Sequence, residues 1–267
     1  IRTSFLDFLP KIKSLRSFYR KLSFFAFSSF NLSNYDLVIT QTSDPAIWFK
    51  KSTNQKHISY FQLIPSFDLK KNKNLIESFF SKKSHEYAKN IDILINNSNY
   101  ISTEFERVYA IKPNVIYPPV DIAKIQSIQS QSSEAILTSY NLQPRSYFVF
   151  IGRLEKFKGI DYIAQACIET NSELIVIGEG DDSLVPENSL IKKLGFVSEE
   201  EKFILLKNAK ALINGAIEQF GIVFVEAIAS NTPVIAYEIG GAKELVNENF
   251  GILFEEQNKD SVVKAIQ

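Results

Sequence analysis

Methionine is absent from all 267 residues, cysteine and tryptophan occur once each, and histidine occurs twice. The lone Cys167 excludes an intrachain disulfide framework, and with it the main sequence sign of an oxidising compartment, so cytoplasm is the expected location. His57 and His85 stand outside any metal-ligand spacing and Asp181-Asp182 has no histidine near it, so no bound metal is expected. Net charge is absent too. Thirty Lys and Arg balance thirty Asp and Glu, which leaves no global field to draw nucleic acid. No apolar run reaches the 18 residues or so that a membrane-spanning helix needs. Nucleotide and hydrolase signatures are missing as well: Gly178-Glu179-Gly180 runs into Asp181-Asp182-Ser183 and breaks a dinucleotide fingerprint, no Gly-Lys-Ser/Thr occurs, and no Gly-x-Ser-x-Gly elbow is found.

What the chain does hold is a globular balance, 45% hydrophobic and 22% charged residues, in a length that suits two domains. It opens on Ile1 and closes on Gln267 inside a helical pattern, so it reads as a piece of a longer protein expected to lack both ends. Residues 1–30 set Lys11, Lys13, Arg16, Arg20 and Lys21 among Phe5, Phe8, Leu15, Phe18, Phe24 and Phe25. Two readings stay open there: a core-facing helix with a solvated basic side, or a peripheral contact with the inner face of the plasma membrane.

From Tyr35 short apolar runs alternate with polar or helical stretches, at 35–40, 57–61, 91–96 and 114–117, then at 147–151, 174–177, 211–213, 234–236 and 251–254. Uninterrupted apolar strands separated by helices predict parallel sheets covered on both faces, an α/β architecture. Pro118-Pro119 stops the first half and residues 122–143 are polar, which predicts a first domain over 1–121, a linker over 122–146 and a second domain over 147–267 without its closing helix.

In such a sheet ligands bind beyond the carboxyl ends of the strands. The loops there are rich in glycine and charge. Gly152-Arg153-Leu154-Glu155-Lys156-Phe157-Lys158-Gly159 follows a strand directly, so a ligand can approach the Gly152 backbone while Arg153 and Lys158 offer two positive charges to a diphosphate. Glu218-Gln219-Phe220-Gly221-Ile222 leads into a helix that carries Glu226. This arrangement puts one carboxylate in the loop, the other a turn and a half along, and free N–H groups between them. That set suits a sugar nucleotide. Taken singly the pieces have plainer readings: Glu218 as a helix-start charge, Glu226 as a solvated residue, and Arg153 and Lys158 as partners of Glu155 or a neighbour.

Together, Gly152-Arg153 with Lys158-Gly159, Val176 through Gly180, Leu194-Gly195-Phe196-Val197, Glu218 through Gly221 with Glu226-Ala227, Thr232 through Ala236 and Gly240-Gly241 resemble the donor domain of retaining glycosyltransferases of family 4. That family has the GT-B fold, two Rossmann-like parallel-sheet domains facing a cleft. Leu32 through Thr40, His57-Ile58-Ser59-Tyr60, Asn97 through Ile101 and Val115 through Asp121 are more faintly similar to bacterial mannosyltransferase-like members that build O-antigen or exopolysaccharide. Two departures stand out. The family's opening strand and Gly-rich loop would precede Ile1, and Gln62 stands near the place of a histidine that members usually carry; it can bond a sugar hydroxyl but does not titrate near neutrality.

The resemblance implies a metal-independent, cofactor-free hexosyltransferase. It would move a hexose, with GDP-mannose as the suggested donor, to a glycan or lipid-linked acceptor in cell-surface polysaccharide synthesis. By that resemblance Arg153 and Lys158 hold the diphosphate, Glu218 the sugar hydroxyls and Glu226 the ribose diol. The backbone of Phe220, Gly221 and Ile222 adds donors, Phe196 and Val197 border the base, and Gln62 faces the acceptor side. Retention without an enzyme nucleophile implies same-face attack, with the leaving diphosphate taking the acceptor's proton. A sugar-nucleotide epimerase of the same architecture and a non-catalytic sugar-nucleotide-binding remnant remain as alternatives. His57 and His85 are expected to be structural or solvated.

Overall fold

The computed structural model describes residues 22–42, 44–64 and 66–267, and the chain divides into two units between Tyr117 and Pro118. Most of the basic opening segment, residues 1–21, lies outside the described residues.

Among its described residues unit 1 holds four parallel strands, β1 (Leu37–Thr42), β2 (Lys56–Phe61), β3 (Ile93–Asn96) and β4 (Asn114–Val115), side by side in chain order. Its described helices are α1 (Leu22–Ser28), α2 (Ser66–Leu69), α3 (Leu75–Ala88) and α4 (Asn99–Tyr109). Helix α3 starts where it does because the Asn74 side chain accepts the Glu77 N–H while the Glu77 carboxylate accepts the Asn74 N–H. Ser98 caps α4 by accepting the Ile101 N–H. One sheet face is packed: Phe61 and Leu94 meet Phe24, Trp48, Phe80, Phe105 and Tyr109. Helix α1 belongs to that core, turning Phe24 and Ala26 inward, with Phe24 edge-on to Trp48 at 4.5 Å. Among the described residues no helix packs on the opposite face. Register sets Ile39 beside Ile58, Ile58 beside Ile93 and Tyr60 beside Ile95, and Leu37, Ile39 and Ile93 are exposed while the others are half-buried.

Unit 2 begins with α5 (Ile122–Gln129) and α6 (Glu134–Ser139), which corrects the expected linker. Most Ser and Gln of this segment face water, but Ile125 and Leu137 are buried in the core, and Gln129 is buried with its carbonyl accepting from Lys207 Nζ at 2.5 Å. Then follow β5 (Tyr147–Ile151), α7 (Ile160–Glu169), β6 (Glu173–Ile177), β7 (Ile191–Gly195), α8 (Glu199–Lys207), β8 (Leu212–Asn214), α9 (Ile222–Ala229), β9 (Val234–Tyr237), α10 (Gly241–Leu245), β10 (Gly251–Phe254) and α11 (Lys259–Ile266). The sheet is wholly parallel in the order β10-β9-β8-β5-β6-β7. Alternation along its strands feeds two cores, one holding Tyr147, Val149, Ile175, Leu212 and Val234, the other Phe148, Phe150, Leu174, Val176, Ile213 and Ile235. Strand β7 was not expected, because Ile191-Lys192-Lys193-Leu194 breaks the apolar run. It lies at the sheet edge, where lysines discourage further pairing, and Lys192 Nζ reaches Glu173 at 2.6 Å. Among the described residues no helix is long and apolar enough to cross a membrane.

Candidate functional site

The strand order of unit 2 locates the site. The chain runs outward from β5 to β7, then returns to lay β8 on the other side of β5 and continues to β10. Between β5 and β8 the direction of winding reverses, and open parallel sheets bind ligands beyond the carboxyl ends at such a reversal. The loops that leave these two strands are residues 152–159 and 215–221.

Lys158 and Glu218 join the two loops. Lys158 Nζ donates to Glu218 Oε1 at 2.6 Å, and Asn214 Nδ2 reaches the same oxygen at 3.4 Å. The two side chains are 16% and 19% exposed, so the pair is mostly withdrawn from water yet open to a ligand. The loop after β8 is tied down along its length. Asn214 Oδ1 accepts from the Ala216 N–H at 2.8 Å, and the Gly215 carbonyl accepts from Tyr162 Oη at 2.9 Å and Gln257 Nε2 at 2.7 Å. Burial holds the Tyr162 hydroxyl well above its usual pKa, so it stays a donor at neutral pH. The Glu218 carbonyl accepts from the Gly241 N–H at 2.6 Å, and a Cβ on Gly241 would fall 1.9 Å from the Phe220 carbonyl oxygen. Only glycine lets the loop after β9 press this close. Gly178, with φ 136°, does the same for the loop after β5, since its Cβ would fall 1.9 Å from the Gly152 carbonyl oxygen.

Not every expected residue shares this placement. Arg153 is 69% exposed and paired with Glu155, one of the plainer readings open from sequence; its guanidinium lies 5.8 Å from the Phe157 ring centre and Lys158 Nζ lies 5.5 Å from it. The expected cations therefore flank one ring but answer to different carboxylates. Glu226 is not a solvated residue: Lys202 Nζ donates to its Oε1 at 2.8 Å, with side chains 21% and 16% exposed, and the same ammonium stands 4.2 Å over the Phe203 ring. Gly221, in the left-handed region at φ 93°, opens α9, with Phe220 buried before it and Ile222 exposed after it. The Phe224 N–H donates to the Gly221 carbonyl at 2.9 Å, which leaves the N–H groups of Ile222 and Val223 at the open end of α9. Phe196 is 84% exposed, whereas its neighbour Val197 is buried in the core, so only the first of that pair presents its side chain to a ligand.

Sequence reasoning missed Tyr162 and Lys202, and gave no role to Asn214, although it opens the ligand-side loop at the end of its apolar strand. Lys202 follows Glu199-Glu200-Glu201 on α8, and nothing in sequence marks a partner 24 residues on. In unit 1, Gln62 follows β2, and its carbonyl accepts from Asn97 Nδ2 at 3.4 Å. His57 is buried, with Nε2 at 2.9 Å from Thr40 Oγ1 and its ring edge-on to Phe49. Burial foremost, and Lys51 next, lower its pKa to about 4 against the opposing pull of Asp92. Both ring nitrogens of His85 face carbonyl oxygens, of Ser81 at 2.8 Å and Val108 at 2.9 Å. Both histidines thus serve packing. Among the described residues, no group of three or more His, Cys, Asp and Glu side chains gathers that could hold a metal ion.

A family model described as glycosyl transferases group 1 matches residues 134–267. An uncharacterized glycosyltransferase of Methanocaldococcus jannaschii is 34% identical over 128 residues, covering 43% of this chain and 33% of the relative. An alpha-1,3/1,6-mannosyltransferase of Mus musculus is 22% identical over 258 residues, covering 83% of this chain and 61% of the relative. The chain thus spans less than two thirds of either relative's length. Among solved structures, Anabaena HepE in complex with UDP superposes with a TM-score of 0.68 at 18% identity, over 97% of this chain and 73% of that one. The two parallel sheets are those of the GT-B glycosyltransferase fold.

Proposed function

The chain belongs to the glycosyl transferases group 1 family, and from that premise we propose that it transfers a hexose from a nucleoside-diphosphate sugar to a glycan or lipid-linked acceptor with retention at the anomeric carbon. The observation that carries this reading is the Lys158–Glu218 pair at the winding reversal between β5 and β8. A diphosphate sugar answers both members at once: its phosphate oxygens replace Glu218 on Lys158, and its sugar hydroxyls replace Lys158 on Glu218. Arg153, free to turn from Glu155 in solvent, adds a second charge to the diphosphate, and Glu226, steadied by Lys202, takes the ribose diol. Phe196 lies against the base, and the first N–H groups of α9 meet a phosphate or a hydroxyl.

The acceptor hydroxyl attacks the anomeric carbon on the face the diphosphate leaves. The carbon–oxygen bond to the diphosphate breaks as the new one forms, and the hydroxyl proton passes to the departing phosphate oxygen. Lys158 and Arg153 stabilise the charge that grows on that group, a task otherwise suited to a metal ion, so turnover is expected to survive chelation. Mannose is the favoured hexose, supported by the mannosyltransferase relative, and cell-surface polysaccharide is the favoured product.

The test is calorimetric titration with GDP, UDP, ADP and their hexose conjugates, followed by product NMR with acceptor present. Binding of one nucleotide class, lost in Glu226→Ala, with an unchanged anomeric configuration in the product, supports the reading. A folded chain that binds none of them defeats it.

A further inference from the structure

The zero net charge of the whole chain conceals a division. Residues 1–117 carry 17 Lys and Arg against 9 Asp and Glu, a net of +8, and residues 118–267 carry 13 against 21, a net of −8. Among the described residues of unit 1, lysines collect within and beside α3. Its inward side sets Phe80, Ser81, Ser84 and Ala88 into the core. Its outward side is not the solvated polar face that such a helix ordinarily shows. Leu75 is 91% exposed, and Ile76 and Phe79 are exposed with it. Spacings of four from Leu75 to Phe79, then of three and four from Phe79 to Lys82 and Lys83, keep these residues on the same outward side. The apolar part extends sideways, because Phe79 and the exposed Phe25 of α1 both pack on Phe80, at 5.6 and 6.1 Å between ring centres.

Two hollows flank the helix, and lysines line both. One, of about 580 Å³, is edged by Lys50, Lys51 and Lys83, and the other, of about 560 Å³, by Lys73, Lys82 and Lys89, with Glu86 as the one carboxylate on the rim of each. Some of this charge is already answered, by Asp92 on Lys51, Glu77 on Lys70, Glu86 on Lys83 and Asp68 on Lys73. Residues 68–89 nonetheless keep six lysines against three acids. Bulky apolar side chains projecting from a lysine-rich rim, beside hollows of headgroup size, match a lipid surface of negative charge.

We infer that the outward side of α3 docks unit 1 on an anionic lipid bilayer, with Leu75, Ile76 and Phe79 entering the interface and Lys82, Lys83 and their neighbours meeting the headgroups. The acidic unit 2 is repelled by the same surface, which leaves its loops in water. This contact differs from the membrane reading left open at residues 1–30, and it stands apart from the sugar-transfer reading.

Cosedimentation of the full chain with vesicles tests it, using phosphatidylcholine alone and phosphatidylcholine mixed with phosphatidylglycerol. The chain is expected to follow only the mixed vesicles, less so as salt rises. Leu75→Ser with Ile76→Ser, and separately Lys82→Glu with Lys83→Glu, each lower the bound fraction about tenfold. Ile252→Ser in unit 2, a comparably exposed isoleucine, leaves it unchanged. Equal binding to both vesicle types, absence of binding by a chain with native Trp48 emission, or binding untouched by either double variant overturns the inference. So does a dimer that Leu75→Ser with Ile76→Ser dissolves, since the surface would then be meant for a second copy.

Discussion

The two sheets are made of the same kind of strand and finished differently. Unit 2 clothes both faces, so Phe150 on one side and Val149 on the other are fully buried neighbours. Unit 1 clothes one, burying Phe61 and leaving Ile39 at 66% exposure on the other. Their charge pairs differ in placement rather than in kind. Both units hold half-buried ones, Lys51–Asp92 and Lys73–Asp68 in unit 1, Lys158–Glu218 and Lys202–Glu226 in unit 2. Asp92 also accepts the backbone N–H of His57 and so ties the half-covered sheet together, whereas Lys158–Glu218, the pair proposed to meet the donor, joins two loops beyond the strand ends of the closed sheet.

The largest effect expected from this difference is on stability. Phe150→Ala empties a site in a closed core and should cost about 3–5 kcal/mol, while Ile39→Ser should stay within about 0.5 kcal/mol. Each unit has its own reporter. Trp48, the only tryptophan, sits in the core of unit 1, and Cys167, the only cysteine, is buried in unit 2 with burial pushing its thiol up to about 12. Phe150→Ala should therefore speed thiol labelling of Cys167 without moving Trp48 emission. A large cost for Ile39→Ser would show that the open face is covered in solution.

A change at the charge pair should act on chemistry instead. Glu218→Ala removes the partner of Lys158 and the proposed contact to the sugar, and is expected to lower kcat/KM by about 10²–10³. Asp92→Ala in unit 1 is its counterpart. Asp92 accepts from Lys51 Nζ at 2.5 Å and from the His57 N–H at 2.7 Å, and these bonds lower its pKa to about 2. Its loss should lower the unfolding midpoint read at Trp48 and leave nucleotide affinity alone. If both variants lose binding equally, the assignment of chemistry to unit 2 and bracing to unit 1 fails.

Acid should separate the units next. His57 titrates near 6.5 when unfolded and at about 4 when folded. Between those values the unfolded chain binds a proton that the folded one refuses, so stability rises with pH across this window and falls on acidification. The full difference is on the order of 3 kcal/mol for a group this well buried. Trp48 emission should report unfolding of unit 1 between about pH 6.5 and 4, ahead of Cys167 exposure, and His57→Gln should flatten that limb.

How much of this was legible varies with the physics that decides it. Strands such as 147–151 announce themselves because burial on both faces demands an unbroken apolar run. β7 escaped because an edge strand needs no such run, and α5 because its inward residue, Ile125, is surrounded by Ser and Gln. Lys158 and Glu218 could be picked out as loop charges at strand ends. Their pairing could not, since it depends on β8 returning beside β5, a fact of strand order that local pattern does not encode. Lys202 carries no local mark, because its meaning comes from the carboxylate it meets across two helices.

The smallest effect should fall on Arg153, and it sharpens the comparison most. Its pair with Glu155 lies in solvent, where screening leaves such contacts worth about 0–1 kcal/mol. Arg153→Ala should therefore leave the unfolding of both units unchanged, as a surface charge of unit 1 would. Yet the same exposure lets Arg153 turn toward a bound diphosphate, so kcat/KM should fall about tenfold, and by less than in Lys158→Ala, whose ammonium is already set between the loops. If Arg153→Ala proves the more damaging of the two, the diphosphate lies over the outer side of Phe157, and Lys158 serves mainly to hold Glu218 in place.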